Sequence, residues 1–236
     1  MDTAGYTTLT RQSGLAREMQ IVANNVANAA TAGYREEGMI FSEYIKTDRG
    51  EVSLSMGQGN VATTSFQQGA LTGTGGSFDF AIEGEGFFLV ETPAGPRLTR
   101  AGSFSPSAAG DLVTPDGYRV LDTGGAPLFV PPGGQIAVSP DGTVSADGAP
   151  QGQIGLVRPV EGSILLREDG VMFDAEDGFE PAVNARVLQG FIESSNVNAI
   201  GQLARMVEVQ RAYELGQSFL DSEHERVRGA LKSLTG

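Results

Sequence analysis

The sequence predicts an α+β chain: an antiparallel pair of long N- and C-terminal helices, an extended linker region and a β-rich middle. Three observations predict it. Residues 199–234 contain no proline, and Leu203, Met206, Tyr213, Leu220, Val227, Leu231 and Leu234 fall on steps of three and four. That is the spacing of an apolar helical seam. Residues 3–29 carry a second helical stripe. Between the ends the text breaks into short apolar runs punctuated by glycine, with 25 of the 33 glycines lying in 46–195.

In the N-terminal helix, Leu15, Met19, Val22 and Val26 share one face, widened by Leu9, Ala16 and Ala23. Its alanines keep it thin. At about 1.5 Å per residue it is roughly 40 Å long. It ends in Asn24-Asn25-Val26-Ala27-Asn28-Ala29-Ala30-Thr31-Ala32-Gly33-Tyr34. Asparagine amides compete for backbone groups at helix ends, and Gly33 can turn the chain through positive φ.

Residues 36–76 read as irregular, with Phe41 and Tyr44 as isolated aromatics and residues 61–66 as an extended strand candidate. Gly73-Thr74-Gly75-Gly76 lacks the lysine and following helix of a phosphate cradle. From 77 to 190 the strand candidates are 78–82, 87–90, 97–99, 112–113, 119–121, 128–130, 136–138, 143–145, 154–157, 164–166, 171–173 and 187–192. The Asp-Gly pairs at 116, 141, 147, 169 and 177 separate many of them and read as hairpin turns. Their spacing fits no calcium loop. Asn196 or Asn198 is the natural N-cap of the C-terminal helix.

That helix, about 54 Å long, needs a partner to cover its seam. The first partner is expected to be the N-terminal helix. Gln210, Gln217 and His224 interrupt the seam at intervals of seven and are expected to face neighbouring subunits or water. Val207, Val209, Leu215 and Phe219 are expected to point elsewhere, so the helix is apolar on more than one side, the mark of self- or hetero-association. Opposite charges at i, i+3 (Arg205/Glu208, Glu208/Arg211, Arg211/Glu214, Glu223/Arg226, Glu225/Arg228) support the helix or bridge subunits.

Composition narrows the function. The net charge of −13 argues against a nucleic-acid surface. Residues 46–195 carry nineteen acidic and eight basic groups, whereas 196–236 carry five of each. Near-neutral ends suit surfaces that pack against copies of themselves. There is no cysteine, and His224 is the one histidine. It sits on the helical seam, and no nucleophile-elbow pattern accompanies it. No acid pair is singled out. The reading is therefore non-enzymatic, with no cofactor and no metal. The N-terminus has neither a basic start nor an apolar core, and no window is apolar enough for a membrane span. The expectation is a cytoplasmic chain, or one that leaves the cell without a cleaved signal.

Residues 24–34 resemble the N-terminal signature of bacterial flagellar rod and hook proteins, matching at Asn24, Asn25, Val26, Ala27, Asn28, Thr31, Gly33 and Tyr34. Ala81-Ile82-Glu83-Gly84-Glu85-Gly86-Phe87-Phe88 is similar to a middle segment of that family. Glu193-Ser194-Ser195-Asn196-Val197-Asn198 and Met206-Val207-Glu208-Val209-Gln210-Arg211-Ala212-Tyr213-Glu214 are similar to its C-terminal signature. The resemblance covers both ends and most of the middle, and fits the proximal-rod members best, with the distal rod as the alternative. Outside the family, the alternative is a self-contained β-rich binding module with helical ends.

The resemblance implies an inner helical domain from 1–35 and 191–236, a connector at 36–76 and an outer β-rich domain at 77–190. It implies a structural subunit of the flagellar basal-body rod, part of a torque-carrying shaft across the periplasm. Its partners would be copies of itself, other rod subunits and the flagellar type III export apparatus. The assembly residues it implies are Asn24, Asn25, Val26, Asn28, Thr31, Gly33, Tyr34, Asn196, Val197, Asn198, Leu203, Met206, Gln210, Arg211, Tyr213, Glu214, Gln217 and Leu220.

Overall fold

The computed structural model describes the backbone of residues 2–46, 54–131, 133–163 and 165–235, and side chains within these except 2–6, 41–46, 54–62 and 234–235. The chain is α+β, with one helix near each end and strands between. It divides into two compact units. The first comprises residues 1–29, 36–66 and 197–236, and the second 30–35 and 67–196.

In the first unit, helix α1 (Asp2–Ala27) and helix α2 (Ala199–Thr235) pack together with a two-stranded hairpin of β1 (Glu37–Lys46) and β2 (Leu54–Thr64). Long ordered strands thus occupy much of a span that reads as irregular. Glycines at 38, 57 and 59 lower its β propensity, yet antiparallel pairing runs from Glu37↔Thr64 to Lys46↔Leu54, with a register shift between Ile40 and Phe41. The side chains of Phe41 and Tyr44 lie outside the described residues. Asn198 caps α2: its Oδ1 accepts the Gly201 N–H at 3.1 Å, and its carbonyl accepts Gln202.

The second unit is built on a nine-stranded antiparallel sheet. Its path runs through Leu165–Glu168, Met172–Ala175, Gly95–Thr99, Phe87–Thr92, Arg119–Val120, Leu112–Val113 and Ser105–Pro106. Leu156–Pro159 also pairs with the Phe87–Thr92 strand and carries Phe179–Pro181. Smaller sheets join Ile136–Val138, Thr143–Ala146 and Ala149–Gln153, then Phe80–Glu83 with Arg186–Gln189, and Leu71–Gly73 with Phe191–Glu193. Gly190, at φ 76°, breaks the predicted 187–192 run into two strands that join different sheets. Residues 128–130 make only an isolated bridge. Ile164 lies outside the described residues.

The Phe87–Thr92 strand is covered on both faces. Phe88 and Val90 enter one core with Phe80, Phe104 and Ile154, while Phe87 and Leu89 enter a second with Leu98 and Phe173. A continuous apolar run is what a strand buried on both sides requires. Phe88 meets Phe104 edge-on at 5.3 Å. The Phe80–Glu83 strand buries Ala81 as well as Phe80 and Ile82, so it is not the half-buried strand that its alternation suggests. Asp147 and Asp169 take positive φ, as do the glycines after them, so these two pairs form the tight turns expected.

Gly102 lies against this core. A Cβ there would overlap the Phe80 carbonyl oxygen and press on the Phe88 ring. Gly102→Ala should therefore destabilise the protein by about 2–4 kcal/mol, read as a lowered denaturation midpoint with an unchanged slope.

Candidate assembly surface

On α2 the residues that are not exposed are 199, 202, 206, 209, 212, 213, 216, 220 and 223. Met206, Tyr213 and Leu220 belong to the predicted seam. Its other track is displaced by one residue: Gln202, Val209, Gly216 and Glu223 replace Leu203, Gln210, Gln217 and His224. Val209 is 2% exposed and belongs to the seam, while Leu203 is 51% exposed and does not. Val227 and Leu231 are exposed too. The side chain of Leu234 lies outside the described residues.

Hydrogen bonding explains the displacement. Gln12 Nε2 donates to the Tyr213 carbonyl at 3.1 Å. A Cβ on Gly216 would crowd that amide, so the glycine leaves room for it. Gln202 accepts from Asn25 Nδ2 at 3.3 Å and donates to Glu36 at 2.6 Å. Arg205 donates to Glu18 at 2.7 Å, with Glu18 buried and Arg205 half exposed. Burial and the bond to Glu18 act oppositely on the Arg205 guanidinium, and the bond prevails, raising its pKa.

The same shift appears on α1. Leu15 and Val22 are buried and Met19 and Val26 partly so, but the stripe widens through Gln12, Glu18 and Asn25. Leu9, Ala16 and Ala23 stay exposed. The sequence reading widened the stripe on its apolar side. The polar side is inside because Gln12, Asn25 and Glu18 Oε1 each have a partner there, which removes much of the burial penalty, although among the described residues the buried Glu18 Oε2 has none.

Asn25 is the most connected of the predicted residues. Its Nδ2 donates to the Glu37 carbonyl at 2.7 Å and its Oδ1 accepts the Glu37 N–H at 2.9 Å. One amide thus copies the paired bonds of a neighbouring strand and fixes where β1 leaves the helix. Asn28 folds back on the Asn24 carbonyl at 2.9 Å.

The second half of the N-terminal signature belongs to the β-rich unit. Gly33, at φ 73°, sits where a Cβ would overlap the Ala101 backbone, and its N–H donates to the Glu193 carbonyl at 2.8 Å. Tyr34 is buried beneath the Arg167 guanidinium, 4.5 Å from the ring centre. Thr31 is partly buried. Asn196, the other N-cap candidate, donates to the Gln67 carbonyl at 2.8 Å, and its N–H meets the Tyr34 carbonyl. Val197 is half-buried and Asn198 exposed.

Glu193 joins these passages. Its two carboxylate oxygens meet Arg35 at 3.0 Å and Arg100 at 2.9 Å, and all three side chains are buried. Burial pulls the Arg100 guanidinium down to about 10, with Glu193 opposing, so it stays charged at neutral pH. Burial lowers the Arg35 pKa as well, again against Glu193. None of these three was among the predicted site residues. The signal available was a lone charge in Thr99-Arg100-Ala101-Gly102 and another in Phe191-Ile192-Glu193, both set in runs otherwise fit for burial.

The remaining predicted residues, Gln210, Arg211, Glu214 and Gln217, are exposed on α2, and Gln210 donates to Glu214 at 3.1 Å. Leu203, Val207, Leu215 (73% exposed) and Phe219 (44%) are exposed apolar side chains on α2, in a row interrupted by the exposed Arg211. Leu215 and Phe219 line a groove of about 340 Å³ together with Thr8, Gln12 and Leu15 of α1 and Gly216 of α2. Among the described residues no helix is long and apolar enough to cross a membrane.

Two family profiles match the chain. One, described as the flagellar hook protein FlgE/F/G D1 domain, covers residues 81–146. The other, described as the flagellar basal body rod FlgEFG protein C-terminal region, covers 188–232. The flagellar basal-body rod protein FlgF of Caulobacter vibrioides is 37% identical over 241 residues, spanning 99% of this chain and 98% of that one. FlgF of Rhizobium meliloti is 35% identical across 100% and 99%. The flagellar basal-body rod protein FlgG of Bacillus subtilis is 28% identical across 93% and 94%.

Asn25→Ala should strip both Glu37 backbone groups of their partner, at a cost of about 1–3 kcal/mol. Amide exchange at Glu37 should quicken while exchange in the Phe87–Thr92 strand holds. Asn25→Asp should be worse, because it sets a carboxylate against the Glu37 carbonyl.

Proposed function

The chain belongs to the flagellar basal-body rod protein family, and we propose that it is a proximal-rod subunit of FlgF type that polymerises through its terminal helices. It is a structural protein of the basal body, without enzymatic activity. In the proposal, α1 and α2 run antiparallel and form the inner layer of a shaft that carries torque across the periplasm. Contacts of Gln12 with Tyr213, Glu18 with Arg205 and Asn25 with Gln202 support that direction. The proposed division is residues 1–35 and 191–236 inside, 36–76 as connector and 77–190 outside.

The observation that carries the polymer reading is the exposed apolar ridge of Leu203 and Val207, continued past Arg211 by Leu215 and Phe219 at the rim of the groove beside α1, on a helix whose Val209 side is already buried. Water contact along such a ridge is unfavourable by roughly 25 cal/mol per Å² of apolar surface. Covering it with neighbouring subunits removes that penalty. Gln210, Gln217 and His224, all exposed, would face those neighbours or the channel. Asn24, Asn25, Val26, Asn28, Thr31, Gly33, Tyr34, Asn196, Val197 and Asn198 would hold the helix ends in the geometry that assembly needs. The subunit would pass through the flagellar type III export apparatus without a cleaved signal, then join copies of itself and other rod proteins. End-to-end coverage at 34–37% identity to three FlgF relatives supports the FlgF type over the FlgG type, whose relatives match at 27–30%.

The double variant Leu203→Glu/Val207→Glu tests this. Its circular dichroism and melting temperature should match the parent's, because both side chains project from the fold. Cells carrying it should lack complete rods and should not swim. Normal swimming with the folded variant would refute assembly through this ridge.

A further inference from the structure

We propose that the exposed ridge of Ile200, Leu203 and Val207 on one copy of the chain seats in the groove between α1 and α2 of a second copy, one step further along the helix pair. This contact rests on the proposed assembly through the terminal helices and names the surface that receives the ridge.

Two apolar pairs on α2 share a spacing. Leu203 and Val207 are four residues apart, and so are Leu215 and Phe219. The first pair, preceded by Ile200, stands exposed. Anchors at i, i+3 and i+7 are the pattern with which a helix enters an apolar groove. The second pair borders such a groove, walled also by Leu15 of α1 and Ala212 of α2. Its volume of about 340 Å³, against roughly 30 Å³ for one water, suits it to several side chains.

Charge favours the same pairing. Arg11 lines the groove and, among the described residues, has no ion pair. Glu208 follows Val207 on the ridge side and is exposed, with one carboxylate oxygen on Arg205. Opposite signs on the two surfaces favour ridge against groove.

Leu203 lies twelve residues before Leu215, and Val207 twelve before Phe219. With the helices of the two copies parallel, a shift of roughly 18 Å brings both members of one pair level with both members of the other. Ridge and groove are different patches of one surface, so the contact is heterologous. A shift along the helix axis carries it on to a third copy instead of back to the first, which makes an open polymer.

The chain has no cysteine, so introduced thiols report the contact in rods isolated from cells. Oxidised Leu203→Cys/Leu215→Cys chains should run as dimers and larger species, whereas each single variant should stay monomeric. Val207→Cys/Phe219→Cys should behave alike. No bond within one chain competes, because roughly 18 Å along a helix exceeds disulfide reach. Dimers from Leu203→Cys alone would mean ridge against ridge and would overturn the proposal. So would the absence of cross-links from both double variants in cells that swim. If Leu203→Glu/Val207→Glu abolishes swimming while neither cysteine pair cross-links, assembly through the helices stands and the groove is rejected as its receiver. Should one cysteine pair prevent rod assembly, the other decides by itself.

Discussion

A carboxylate with almost no access to water, that of Glu193, fixes the course of three separate stretches of chain. It meets Arg35 on the way into the β-rich unit, Gly69 shortly after the hairpin, and Arg100 from the heart of the sheet. Charges placed there gain little net stability, because desolvation offsets attraction. What they supply is geometry. An alternative path for residues 191–196 would leave the buried Arg35 and Arg100 without their counter-ion, a defect that costs about 3–5 kcal/mol. Gly33 and Gly69 complete the constraint, since a side chain at either would overlap neighbouring backbone.

The helical unit follows a related logic with neutral groups. Its seam is specified by Gln12, Asn25, Gln202 and the gap at Gly216 more than by leucine. A polar seam of this kind fixes register, because sliding one helix along the other by a turn would strand each amide. It also leaves the larger apolar side chains of α2 outside. The helix is thus divided between a side buried in its own unit, at Val209, and an exposed side that carries Leu203 and Val207.

Much of this was legible in the sequence. The two helices, the cap at Asn198, the turns at Asp147 and Asp169, and the core strand at Phe87–Thr92 all follow from local rules of spacing and turn chemistry. The hairpin of β1 and β2 was not legible, because its glycines and polar residues give no alternation and it is backed by non-local packing against α1. The seam was half legible. Leucine at 203 and glutamine at 202 rank one way by hydropathy and the other way once Asn25 and Glu36 are near. The Arg35–Glu193–Arg100 cluster was hidden for the same reason: a charge in an apolar run is read as surface until its counter-charge is found far along the chain.

Gln12 and Tyr213 are separated by 201 residues, and that separation orders events in time. A contact of such range forms slowly when it must close a fluctuating loop, because the closure entropy is lost before any bond rewards it. The β-rich unit mixes neighbouring hairpins, such as Phe87–Thr92 with Gly95–Thr99, with long-range pairings such as Phe80–Glu83 with Arg186–Gln189. Once folded, it replaces most of the intervening chain with a compact body and shortens the search for the helices. The pairing of α1 with α2 therefore closes over its shortest loop once the β-rich unit has formed.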